Sequence, residues 1–131
     1  MKLLTKDQIL KATDLPVERI NVEEWNGSVI VRTISAAERD EFEQNMSEQR
    51  GKRREVNLTN IRAKLCALCM VDEAGQRLFT DAEVAALGQK SGKALDKVFG
   101  VAQRINGFTR QDVEELAKNS ETAPSDASPS D

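Results

Sequence analysis

Histidine and tyrosine are both absent from this 131-residue chain, and aromatic residues make up only 4% of it. Without imidazole the sequence lacks the commonest general base near neutral pH, the commonest zinc ligand and every Ser-His or Cys-His nucleophile pair. Carboxylates are plentiful but fall on polar helix faces, and nothing marks two of them as buried together. Catalysis and a bound cofactor are therefore not expected. No stretch approaches the roughly 18 apolar residues of a membrane span. The start, MKLLTKDQILKATD, has charges inside its apolar cluster, unlike a secretory leader. With no export signal to read, the two cysteines are expected to meet a reducing cytosol, where structural disulfides are uncommon. Few aromatics also mean a core of Leu, Ile, Val, Ala and Met, which favours packed helices over a large sheet.

Charge of both signs is abundant, with 22 acids against 19 bases. Glu121, Asp126 and Asp131 lie beyond residue 119 with no base beside them, so the rest of the chain balances at 19 against 19. A neutral body implies no polyanionic partner. The basic run Arg50, Lys52, Arg53 and Arg54 has neither aromatic nor further basic companions. It reads as a mobile, solvated connection and not as a nucleic-acid patch.

The length suits one domain. Thr5 and Gln8 stand in capping-box spacing, predicting a short helix that ends near Asp14 and Pro16. ERINVEEW, then NG, then SVIVRTI predicts a β-hairpin whose Asn26-Gly27 forms a type I′ turn. That turn pairs Trp25 with Ser28, Val22 with Val31 and Ile20 with Thr33, and it sets Ile20, Val22, Val29 and Val31 on one face. A lone hairpin is marginal, so this face is expected to lie on helices or on another chain. Ser35 and Glu38 form a second capping box, opening a helix to about Met46. Leu58, Ile61, Leu65 and Leu68 share a helical stripe. A third box, Thr80 with Glu83, precedes VAAL and a longer apolar pattern through Leu95, Val98, Phe99, Ala102 and Ile105. Asn106-Gly107 is its stop, and a last short helix carries Val113 and Leu116. The predicted fold is mainly α (α+β), an N-terminal β-hairpin packed on a small bundle of about five helices. It spans residues 1–119, followed by a disordered acidic tail over 120–131.

Two stretches imitate chemistry. GQKSGKA, from Gly88 to Ala94, departs from a phosphate loop in its glycine spacing and in the Ala after Lys93, so it reads as a joint between helices. KLCALCM holds Cys66 and Cys69, but a closed zinc site needs four ligands and one chain offers two. A redox pair needs its first thiol at a helix N-terminus, whereas these lie well inside a helix. They read as small apolar residues. Ala63, Cys66, Ala67 and Met70 form a second apolar flank beside the Leu58 stripe. Either this helix is central and buried on both flanks, or the second flank meets another subunit.

EEWNGSVIVRTISAAERDEFE, then DEAGQRLFTDAEVAAL, then SGKALDKVFGVAQRINGF resembles the tail assembly chaperones of long, non-contractile-tailed bacteriophages, over roughly Leu15 to Leu116. The most telling pieces are Trp25 with Gly27, Val31-Arg32 running into Ser35 and Glu38, the Gly75 to Thr80 turn with Leu78-Phe79, and Ile105-Asn106-Gly107. The resemblance implies a non-enzymatic role. The chaperone coats the helical tape measure protein in the host cytoplasm, self-associates, and is absent from the finished tail. It also implies a longer product made by a -1 frameshift, whose extra domain recruits the tail tube protein. Lys118-Asn119 is what a slippery A-AAA-AAC heptamer would encode, which puts the candidate shift there. Ile20, Val22, Val29, Val31, Ala63, Cys66, Ala67 and Met70 are the candidate subunit or client contacts. No nucleic-acid or membrane partner is expected. The alternatives are a structural adaptor of the head-tail joint and a helical nucleic-acid-binding regulator using Arg50 to Arg54.

Overall fold

A computed structural model of the chain describes residues 1–52, 58–108, 111, 112 and 115, with backbone alone for 46–52 and 58–60. The first helix, α1 (Lys6–Lys11), opens with the anticipated capping box: Gln8 N–H donates to Thr5 Oγ1 at 3.2 Å and Thr5 N–H to Gln8 Oε1 at 3.0 Å. It ends at Lys11, earlier than the sequence suggested, and buries none of its residues.

Strands β1 (Val17–Val22) and β2 (Gly27–Arg32) form the antiparallel hairpin, but in a different register. Ile20 pairs with Val29, Glu18 with Val31 and Val22 with Gly27. The tight Asn26-Gly27 turn is replaced by a 3₁₀ turn over Glu23–Trp25, closed by Asn26 at φ 59°. Tertiary contacts override the local turn preference here. Lys97 donates to Glu24 at 3.0 Å, and half-buried Trp25 packs on the core. The slip leaves the alternation of the strands intact, so Ile20, Val22, Val29 and Val31 still share one face.

A third strand, β3 (Met70–Val71), continues directly from a helix and pairs antiparallel with β2, matching Ile30 to Val71 and Val31 to Met70. Two residues leave no period-2 signature, so the sequence reading missed it. The sheet order is β1-β2-β3. The next turn is fixed by Asp72, whose Oδ1 accepts from Ala74 and Gln76 N–H at 2.9 Å each, with Gly75 at φ 86°.

The backbone of α2 (Ala36–Lys52) runs past the expected end at Met46, because Glu48, Gln49 and Arg50 are good helix formers. The segment read as a connection is therefore helical as far as Lys52. Helix α3 (Leu58–Cys69) is the central helix. It packs on α4 (Val84–Leu87) and α5 (Gly92–Ile105), and α5 also covers the inner face of the β1–β2 hairpin. Ile61, Leu65, Cys66, Cys69, Met70, Leu95 and Val98 are all 1% exposed or less, so α3 is buried on both flanks. The Gly88 to Ala94 segment is a joint, with Ser91 Oγ accepting from Ala94 N–H at 3.2 Å to start α5. Gln111, Asp112 and Glu115 are helical, within the last helix expected from the sequence, whereas its Val113 and Leu116, together with Arg53, Arg54, Lys118, Asn119 and the tail, lie outside the described residues.

Candidate functional site

Asn106 ends α5 and ties that end to the strand-to-helix corner. Its Oδ1 accepts from Ile34 N–H at 2.8 Å, and its Nδ2 donates to the carbonyls of Ala102 at 2.9 Å and Arg32 at 3.3 Å. Arg39 donates to the Asn106 carbonyl at 3.1 Å and lies 4.0 Å over the Phe108 ring, a cation–π contact. Phe108 in turn meets Phe42 edge-on at 6.1 Å. On the other side of the corner, Arg32 donates from Nε and Nη2 to the Leu68 carbonyl at 3.0 and 2.9 Å and pairs with Glu38 at 3.2 Å. Glu38 closes its capping box by accepting from Ser35 N–H at 2.9 Å. That backbone bond, with help from Arg32, holds the Glu38 carboxyl below the usual carboxylate range, against the opposing effect of partial burial. Gly107 at φ 75° lets Phe108 N–H reach back to the Gln103 carbonyl at 3.0 Å. These residues serve as a structural latch.

Cys66 and Cys69 are buried, free thiols. Desolvation pushes Cys69 up to about 12 and Cys66 further in the same direction, the reverse of what a reactive thiol needs. Among the described residues, no three His, Cys, Asp or Glu side chains gather to hold a metal ion, and no helix is long and apolar enough to cross a membrane.

An apolar groove of about 570 Å³ opens where three separate parts of the chain meet. The hairpin contributes Trp25 and Val29. Met70 forms the floor with Leu78 and Phe79 from the following turn, and α4 with the residues after it adds Ala86, Leu87 and Lys90. Leu78 is held there because its N–H donates to the Met70 carbonyl at 3.0 Å, yet 47% of the residue remains exposed. Arg77 anchors the same turn from below, donating from Nε to the Ala67 carbonyl at 3.2 Å and pairing with Asp81 at 3.0 Å. The indole N–H of Trp25 is buried and finds no acceptor among the described residues. Apart from Lys90 the lining carries no charge, so the groove suits aliphatic or aromatic side chains.

Of the contact residues read from the sequence, Val29 and Met70 line this groove and Ile20 is half-buried beside the core. The other five, Val22, Val31, Ala63, Cys66 and Ala67, are enclosed by the chain itself. They offer no exposed surface in this conformation, because α5 covers the hairpin face and the second flank of α3 lies in the core. Leu78, Phe79, Ala86, Leu87 and Lys90 were not anticipated as contacts. The one signal for them was the apolar pair Leu78-Phe79 standing inside an otherwise polar turn. The sequence matches the family model described as phage tail assembly chaperone over residues 9–119. No curated protein and no solved structure matches it.

Proposed function

The chain belongs to the phage tail assembly chaperone family, and from that premise we propose that it holds the tape measure protein soluble by seating apolar side chains of that helical client in the Trp25–Leu78 groove. The observation that carries this reading is the groove itself. It is an open apolar surface on a body whose remaining large hydrophobic residues, among the described ones and the first 17 positions aside, are mostly packed. A helix laid into such a groove anchors through residues one turn apart. Each buried aliphatic side chain contributes roughly 1.5–3 kcal/mol, against an association cost of at least about 4 kcal/mol. A single contact is therefore weak, and many copies bound along one client supply the retention.

In this reading the protein self-associates on the client in the host cytoplasm and leaves before the tail is finished, which separates it from a structural adaptor. A longer product, shifted at Lys118-Asn119, recruits the tail tube protein. Codons that break the A-AAA-AAC run at 118 and 119 would remove the shift from that position. Co-expression with the tape measure gene tests the central claim: the client becomes soluble and co-purifies. A client that stays insoluble with no complex refutes it, and peptides of this chain in purified particles would favour the adaptor.

A further inference from the structure

The first 17 residues are all exposed, although they contain six large aliphatic side chains that a solvated tail does not need. Leu4 and Ile9 flank the Thr5 cap in the spacing of a hydrophobic staple, and they are 52% and 56% exposed. Leu3 and Leu10 stand at 95% and 75%. A helix of six residues is too short to persist in water by its own hydrogen bonds, so α1 calls for a surface to pack on. Among the described residues the body does not cover this arm, since α1 has no buried residue and the groove stays open. The base of the arm is nevertheless fixed, with Thr33 donating to the Pro16 carbonyl from its N–H at 3.1 Å and its hydroxyl at 2.6 Å.

We propose that the arm of one copy, residues 1–16, seats Leu3 and Leu10 in the Trp25–Leu78 groove of a second copy when no client is present. Each molecule carries both halves of the contact, and the halves match in chemistry. The arm offers aliphatic side chains and the groove is lined by apolar ones. They also match in charge. The segments that build the groove, 23–25 and 72–90, carry Glu23, Glu24, Asp72, Glu73, Asp81 and Glu83 against Arg77 and Lys90, and Lys97 and Arg19 pair with Glu24 and Glu73, so six acids face four bases. The arm carries Lys2, Lys6 and Lys11 against Asp7 and Asp14, so a net positive arm meets a net negative rim. This deepens the chaperone reading and rests on it for its purpose: the arm covers the client groove until a client helix displaces it.

Trp25 lines the groove and is the only tryptophan in a chain without tyrosine, so its emission reports occupancy. Sedimentation velocity and Trp25 fluorescence of the full chain, without client, over a hundredfold dilution form the test. The wild type is expected to dissociate on dilution with a red shift in emission. Leu3→Ser with Leu10→Ser, and separately Leu78→Ser, are each expected to be monomeric at the highest concentration. All three positions are exposed, so circular dichroism should match the wild type. A labelled peptide of residues 1–16 should bind the Leu3→Ser/Leu10→Ser chain, and at least tenfold more weakly when Leu78→Ser is added.

A monomeric wild type overturns the proposal, and a Trp25 signal that depends on the arm in such a monomer assigns the arm to its own groove. Oligomers that survive either variant, or a peptide that ignores Leu78→Ser, overturn it as well. The client reading fails by a different result, an insoluble co-expressed client beside intact self-association.

Discussion

Replacing Asn106 with alanine tests whether the latch holds the sheet to the helices. Asn106→Ala removes the acceptor of Ile34 N–H, in a residue only 6% exposed, and one donor to the Arg32 carbonyl. The Ala102 carbonyl keeps a partner, because it also accepts from the Asn106 backbone N–H at 3.1 Å. The cost is therefore one stranded buried donor, about 1–3 kcal/mol, plus the net loss of about one ordinary hydrogen bond, about 1 kcal/mol. The sum of roughly 2–4 kcal/mol corresponds to a fall in Tm of roughly 10–20 °C for a domain of this size. Urea unfolding followed by Trp25 emission and by far-ultraviolet circular dichroism measures it, with coincident curves and an unchanged slope expected. The control is Arg104→Ala two residues away, which breaks the Arg104–Glu18 pair at 2.7 Å. That pair is well exposed and should be worth less than about 1 kcal/mol. If Asn106→Ala unfolds within about 0.5 kcal/mol of the wild type, the corner is held by packing and the latch argument fails.

Both thiols should resist a disulfide-exchange reagent in the native protein and react at once in denaturant, since each is buried and neutral. Their ionisation also predicts an alkaline slope. The unfolded thiols lose protons near their ordinary value while the folded ones retain them, so the folded state binds more protons and stability falls as pH rises. For Cys69 the window runs from the ordinary thiol value of 9.0 to about 12, and for Cys66 it extends further. The slope approaches about 1.4 kcal/mol per pH unit for each thiol, and unfolding at pH 8 and pH 10 should show a smaller difference in Cys69→Ala than in the wild type. Gly107→Ala should cost about 1–2 kcal/mol by thermal melting, because φ 75° is left-handed and the space around it is open, leaving only conformational strain. Gly92→Ala, also in open space but at the start of α5, should be neutral or slightly stabilising.

How much of this was legible depended on whether the deciding interaction was local. All three capping boxes were readable, because Thr5 with Gln8, Ser35 with Glu38 and Thr80 with Glu83 each satisfy their own backbone within four residues. The Asn106-Gly107 stop was readable for the same reason. The hairpin was visible but its register was not, since the turn answers to Lys97, 73 residues away from Glu24. Only its faces survived, because the slip preserves alternation. The stripe on α3 showed too much apolar surface for one interface without saying what covered it. Inside the fold that surface is core, so Ala63, Cys66 and Ala67 do not form an exposed contact. The groove could not be read at all, because its lining comes from the hairpin, the turn after β3 and α4.

The separation of latch from groove carries a further consequence for how the surface can change. Trp25, Met70 and Phe79 are held by the same packing that stabilises the body, so altering them confounds binding with folding. Ala86 lines the groove but is exposed on its short helix, and Lys90 lies exposed at the rim. Substitutions there can reshape the groove while the core stays packed. Ala86→Phe adds a ring beside Leu78 at an exposed position, so its effect on unfolding should stay within about 0.5 kcal/mol. Within the groove the same ring takes space that an incoming side chain needs. It should therefore abolish both client co-purification and dilution-dependent self-association in a protein that melts normally. A variant that binds as well as the wild type would show that neither partner enters the groove, whereas one that fails to fold would show that Ala86 belongs to the core.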